Sequence, residues 1–182
     1  MLRNLAVVAV VLLLASPVMA QDSTSGYNWY IVGGIGAGVP ARDDGFTSNA
    51  DVGFYRVLQL EFAVSDRLRL YGRYDRATFD AIQGDEYDAT TLGGGVLYWF
   101  DIKPKNNFRG AFKLGGSKVQ EATPMIPDPS WEPDFGMLIE GHFKGNATIR
   151  AGADLTTFQN SDRIQAIRIY IAVAAGLEGL WK

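Results

Sequence analysis

From Gln165 to Lys182 the chain reads QAIRIYIAVAAGLEGLWK, and its residues sort into two classes at a period of two. Ile167, Ile169, Ile171, Val173, Ala175 and Leu177 fall on one face, and Arg168, Tyr170, Ala172, Ala174, Gly176 and Glu178 on the other. That period is the pleat of a β-strand. A helix over the same residues would carry β-branched side chains at 167, 169, 171 and 173, where they lose rotamer freedom. The faces also differ in kind, one large and aliphatic, the other small with interspersed charge. A fold that accepts this strand must offer an apolar surrounding to the first face and a confined polar one to the second.

The same asymmetry recurs seven times upstream. Tyr27 to Val39 sets Tyr27, Trp29, Ile31, Ile35 and Val39 against Asn28, Tyr30, Val32, Gly34, Gly36 and Gly38. Val52 to Val64 sets Phe54, Leu58, Leu60 and Phe62 against Gly53, Tyr55, Val57, Gln59 and Glu61, with Arg56 interrupting the apolar side. Leu68 to Phe79 opposes Leu68, Leu70 and Tyr74 to Arg69, Tyr71, Arg73 and Asp75. Ala89 to Phe100 opposes Leu92, Val96, Tyr98 and Phe100 to Thr91, Gly93, Gly95, Leu97 and Trp99. In Phe108 to Val119 the split is Phe108, Phe112 and Leu114 against Arg109, Ala111, Lys113, Gly115 and Ser117. Phe135, Met137, Ile139 and Phe143 face away from Gly136, Leu138, Glu140 and His142, and Ala147, Ile149, Ala151, Ala153 and Leu155 away from Thr148, Arg150, Gly152 and Asp154. Short turns are expected at Ser65-Asp66-Arg67 and Lys144-Gly145-Asn146, while longer connections follow the odd-numbered strands. The longest, Gln120 to Pro133, carries Pro124, Pro127, Pro129 and Pro133, which exclude it from a strand interior.

Eight strands with alternating short and long connections predict an all-β chain, an eight-stranded antiparallel up-and-down transmembrane β-barrel. An even number of strands closed on itself leaves no unpaired edge in lipid, where each unsatisfied backbone group costs several kcal/mol. A soluble barrel would turn the aliphatic face inward, but two features oppose that. Twenty-one of the 182 residues are glycine, well above the usual ~7%, and many sit on the face opposite the aliphatics. Small residues weaken a strand exposed to water, yet they leave room for large neighbours inside a narrow barrel. Aromatics gather at strand ends, with Tyr27, Trp29, Phe62, Phe100, Phe108, Phe143 and Trp181 at the short-turn side and Phe54, Phe79, Phe135 and Phe158 at the other. These are the expected interfacial girdles.

Residues 1–20 read as a signal peptide, with Arg3 as positive n-region, an apolar run from Leu5 to Ala15 and Val18-Met19-Ala20 as the cleavage pattern. Residues 21–26 form a short N-terminal lead and 27–182 the outer-membrane β-barrel. No cysteine is present, so disulfides do not hold the exported chain. A net charge of −3 argues against nucleic acid as a partner.

With these features the chain resembles the small outer-membrane barrels, among them the transmembrane domain of outer membrane protein A and the opacity or porin-family barrels. Leu177, Gly179 and Trp181, followed by Lys182, occupy the place where that family carries an aromatic-ended alternation. The resemblance implies a location in the outer membrane, contact with its lipid and lipopolysaccharide, and delivery by the outer-membrane assembly machinery.

The inward face carries the candidate functional residues. Glu61, Arg69, Arg73, Lys113, Glu140, His142, Arg150, Asp154 and Arg168 are expected to form a charge network in the lumen, with Asp75, Arg109 and Glu178 on the same face. Buried charges persist only when paired and hydrogen-bonded. Centring the turn at Gly145 places Glu140 opposite Arg150, with Lys113 expected on its other side, Asp154 beside Arg168, and Glu61 diagonal to Arg69 and Arg73. Such a network predicts a plugged lumen and a structural or surface-interaction role. The alternatives are a small porin or lateral channel for small solutes or hydrophobic compounds, and, more remotely, a lipid-modifying barrel enzyme. The last is disfavoured because His142 and Glu140 lack a serine nucleophile at their end of the barrel; Ser117 lies toward the other. Gly33 to Gly38 and Gly93 to Gly95 do not have dinucleotide-binding spacing, and no cofactor or metal site is expected. Loop 120–133, with Met125, Ile126 and Trp131 displayed among its prolines, is the candidate surface for an extracellular partner.

Overall fold

The computed structural model describes residues 29–42, 51–80, 87–103, 108–123, 131–142, 147–159 and 164–177. The signal peptide, Tyr27, Met125, Ile126, Phe143, Glu178 and Trp181 lie outside the described residues, as do the side chains of His142 and Phe158. Eight strands are present: β1 (Trp29–Arg42), β2 (Gly53–Ala63), β3 (Leu68–Phe79), β4 (Tyr87–Lys103), β5 (Phe108–Thr123), β6 (Glu132–His142), β7 (Ala147–Gln159) and β8 (Ile164–Gly176). Each pairs antiparallel with its neighbours in sequence, and β8 pairs with β1, closing the sheet. The closing ladder runs from Tyr30 opposite Gly176 to Pro40 opposite Ala166, so the strand pattern of the C-terminal stretch finds its second partner in the first strand.

The alternation in sequence is the alternation of the faces. Along β2 the residues from Gly53 to Glu61 are buried and exposed in strict turn, and β3 does the same from Arg69 to Ala77. Outward side chains such as Ile35, Leu58, Met137 and Ile171 are more than half exposed, whereas inward Glu61, Arg168 and Trp99 are fully buried. The large apolar groups therefore cover the outside of the cylinder and the charged groups fill its inside, the arrangement of a barrel whose solvent is lipid.

The strands extend further at the long-connection end than proline content suggested. β5 runs to Thr123 and β6 begins at Glu132, so Pro133 is inside a strand, opposite Gly116. The β6–β7 ladder begins only at Asp134, which leaves Pro133 paired on one flank. Pro40 is alike: it faces Ala166 on β8, while the β1–β2 ladder stops at Gly38 and Gly53. A missing N–H is tolerated where one flank of the strand is free. The register also shifts between Pro40 and Arg42, a bulge that re-aims the strand as it leaves the sheet.

Inward glycines are set by the side chains they face. A Cβ on Gly152 would stand 2.6 Å from Cζ of Tyr170, and one on Gly136 would overlap the Asp154 carboxylate. These positions are hollows that large lumenal groups occupy, which explains glycine inside regular strands.

Candidate functional site

The lumen holds two layers of ion pairs. In the layer nearer the short turns, Glu61 of β2 accepts from Arg69 Nη1 at 3.1 Å and from Arg150 Nη1 and Nη2 at 2.5 and 3.1 Å. Gln59 donates to the same carboxylate at 2.6 Å. Arg150 turns its Nε to Glu140 at 2.7 Å, and Thr148 donates to that oxygen at 3.0 Å. The indole of the fully buried Trp99 forms one wall of this layer, with the guanidinium carbons of Arg69 and Arg150 4.8 and 5.2 Å from its centroid. Tyr30 covers Arg69 from another side at 4.0 Å. Arg69 and Arg150 balance Glu61 and Glu140.

The second layer is built round Arg73. Its Nε lies 2.9 Å from Asp75, its Nη1 donates to Asp154 at 3.1 Å and its Nη2 to Asp134. Lys113 donates to Asp154 at 2.7 Å, and Arg168 to Asp75 at 2.6 Å with a longer approach of 3.6 Å to Asp134. Thr91 adds a hydroxyl to Asp75 at 2.5 Å. Here Asp75, Asp134 and Asp154 balance Arg73, Lys113 and Arg168. Each layer is neutral in itself, the condition under which burying so many charges is tolerable.

Aromatic groups separate and cap the layers. The rings of Tyr71 and Tyr170 flank Lys113, at 5.0 and 5.8 Å from its Nζ, and Tyr55 packs under Arg168 at 4.9 Å. Between the layers Val32, Val57, Gln59, Leu138, Arg150 and Tyr170 enclose about 10 Å³, room for no more than about one water. Toward the long-connection end the lining mixes buried apolar Ala77, Phe79, Ala89, Val119 and Ala166 with buried Thr90, Glu132 and Thr156.

The structure places Glu61, Arg69, Arg73, Lys113, Glu140, Arg150, Asp154 and Arg168 on the lumenal side but redistributes their partners. Glu140 is opposite Arg150 and bonded to it, and Glu61 meets Arg69. Lys113 is not beside Glu140. The β5–β6 register sets Arg109 opposite Glu140 and Lys113 opposite Gly136, whose missing side chain lets Lys113 reach Asp154. Asp154 and Arg168 are cross-strand neighbours, but Asp154 turns to Arg73 and Lys113 while Arg168 turns to Asp75. Arg73 belongs with Asp75, Asp134 and Asp154 rather than with Glu61. Arg109 sits at the short-turn rim, 3.5 Å from Asp101 and donating to the carbonyl of Asp66 at 2.5 Å. Asp134 is absent from the sequence-derived network because Pro133 reads as a strand end, although Glu132, Asp134, Gly136 and Leu138 continue the alternation.

Of the girdle residues, Trp29 and Phe62 pack at 4.9 Å between centroids, Phe100 packs on Phe112 at 5.0 Å, and Phe108 is exposed on the outside. In loop 120–133, residues 120–123 belong to β5 and 132–133 to β6, and Trp131 is exposed. Among the described residues no group of three His, Cys, Asp or Glu side chains is placed to hold a metal ion.

No protein-family profile matches the chain, and no curated protein does. Solved structures do match. The chain is similar to Neisserial surface protein A, with a TM-score of 0.52, 13% identity and coverage of 82% of this chain and 97% of that one. It is similar to the outer membrane protein OprG from Pseudomonas aeruginosa, with a TM-score of 0.53, 9% identity and coverage of 88% and 100%. A de novo designed transmembrane β-barrel matches with a TM-score of 0.51, 18% identity and coverage of 84% and 98%. At these identities the likeness is one of fold: a small, closed, eight-stranded barrel of the outer-membrane type.

Proposed function

We propose that the chain is an outer-membrane barrel with a sealed lumen that acts as a structural or surface-interaction protein. The observation that carries this reading is the pair of self-neutral ionic layers, which join β2, β3, β5, β6, β7 and β8 across the lumen where a pore would run. The aliphatic outer surface supports a membrane location, and similarity in fold to Neisserial surface protein A and OprG supports the outer membrane in particular. The signal peptide at 1–20, contact with lipopolysaccharide, delivery by the assembly machinery and a partner at loop 120–133 belong to this proposal.

Planar-bilayer recording tests it. The wild-type barrel, shown to be folded by heat-modifiable gel mobility, gives no steady conductance, and steady channels from the folded protein would overturn the sealed-lumen reading.

A second reading, a lateral path for hydrophobic compounds, draws support from the apolar part of the lining at Ala77, Phe79, Ala89, Val119 and Ala166. It requires a gap between strands. Uptake of a hydrophobic dye into vesicles, dependent on the protein and lost when Ala89→Trp fills that lining, supports the path, and uptake equal to empty vesicles removes it.

A further inference from the structure

On the outside of the barrel, two arginines interrupt the apolar surface one outward step below Phe54. Going from the short turns toward the long connections, the outward residues of β2 run Leu60, Leu58, Arg56, and those of β3 run Leu70, Gly72, Tyr74, Arg76. The register places Arg56 directly opposite Arg76, one outward step above the Leu58–Tyr74 pair. Like charges opposite one another on adjacent strands are destabilising, so the arrangement needs an anion. Asp88 supplies one to Arg76, accepting from Nε at 2.8 Å and from Nη2. Arg56 has no acidic partner among the described residues, and its other cross-strand neighbour is Ile35. A second cation, Lys118, is the outward residue opposite Leu92.

We propose that Arg56 and Arg76 form a binding site for the phosphate of a membrane lipid in the leaflet on the long-connection side. This rests on the membrane reading above. Three features fit that ligand. With Lys118, the site carries three cations against the carboxylates of Asp88 and Glu121, so it is cationic. A guanidinium presents paired donors that match phosphate oxygens. Directly below it Leu58 and Tyr74, each 54% exposed, offer an apolar surface along which the acyl chain of the same molecule lies. Free phosphate would use only the first two features.

The experiment uses the full chain folded in detergent and counts retained lipid by native mass spectrometry. Its probes are bisphosphorylated lipid A and the same lipid after enzymatic removal of its phosphates. The expected result is about tenfold greater retention of the phosphorylated form, as suits charge-assisted pairing. Arg56→Ala abolishes that preference and Arg56→Lys restores only part of it. Equal retention of the two lipids by wild type overturns the proposal, as does an unchanged preference in Arg56→Ala. Displacement of lipid A by millimolar inorganic phosphate would overturn its assignment to a lipid. Should Arg56→Ala fail to fold, the comparison of the two lipids on wild type decides alone. Failure of the membrane reading is distinguishable: the wild type would then stay monodisperse without detergent and show no heat-modifiable mobility.

Discussion

Glu61 and Arg150 are 89 residues apart in the chain and meet inside the barrel through two hydrogen bonds, of 2.5 and 3.1 Å. They come from β2 and β7, which are not neighbours in the sheet. The contact therefore forms only when β8 has paired with β1. Removing Arg150 leaves two buried carboxylates, Glu61 and Glu140, against the single cation Arg69, at a cost of about 3–5 kcal/mol. Arg150→Ala is expected to show that loss, and Glu61→Gln together with Arg150→Met markedly less, in urea unfolding from lipid vesicles followed by tryptophan fluorescence. Equal losses in the single and double variants would show that the charge pairing is not what those residues contribute.

The partner of Lys113 is open to a double-mutant cycle. The 2.7 Å bond to Asp154 predicts a coupling between Lys113→Met and Asp154→Asn of about 1–3 kcal/mol, and a coupling between Lys113→Met and Glu140→Gln within about 0.5 kcal/mol. Hairpin counting from the sequence favoured the reverse. Unfolding free energies of the three single and two double variants discriminate between the two registers of contact.

Which parts could be read from the sequence follows from the range of the forces that set them. The eight strands and the direction of each face came from local periodicity, and neighbours across one tight turn, Glu140 and Arg150, came from counting about Gly145. Contacts that span the lumen, such as Glu61 with Arg150 and Arg73 with Asp134, depend on the stagger of the closed sheet, which no single hairpin specifies. Asp134 was hidden for a different reason. A proline reads as the end of a strand, yet Pro133 sits where one flank is unpaired, a position that tolerates a missing N–H.

Glycines on the two faces are predicted to differ. Gly152 faces the Tyr170 ring on the inside, so Gly152→Ala forces that ring off its position against Lys113 and costs about 1–3 kcal/mol, the range for overpacking. Gly72 is outward with nothing within 4 Å of a Cβ, and Gly72→Ala is expected to be neutral or slightly stabilising. Midpoints of urea unfolding in the same vesicles provide the comparison. A loss at Gly72 as large as that at Gly152 would contradict the assignment of inside and outside.

If the proposed seal is ionic, the two layers, lying one above the other, close the lumen in series. Emptying part of the short-turn layer with Glu61→Ala and Arg150→Ala leaves Arg73 still held by Asp75, Asp134 and Asp154. Emptying part of the second with Lys113→Ala and Asp154→Ala leaves Glu61, Arg69, Arg150 and Glu140 in place. Each pair of substitutions removes one cation and one anion, so neither leaves a net charge behind. Bilayer recordings of either double variant are therefore expected to stay silent, whereas the quadruple variant conducts, with a selectivity set by the charges that remain. Conductance from one double variant would locate the seal in a single layer, and a silent, folded quadruple variant would assign it to Trp99, Tyr71 and Tyr170 rather than to the ions.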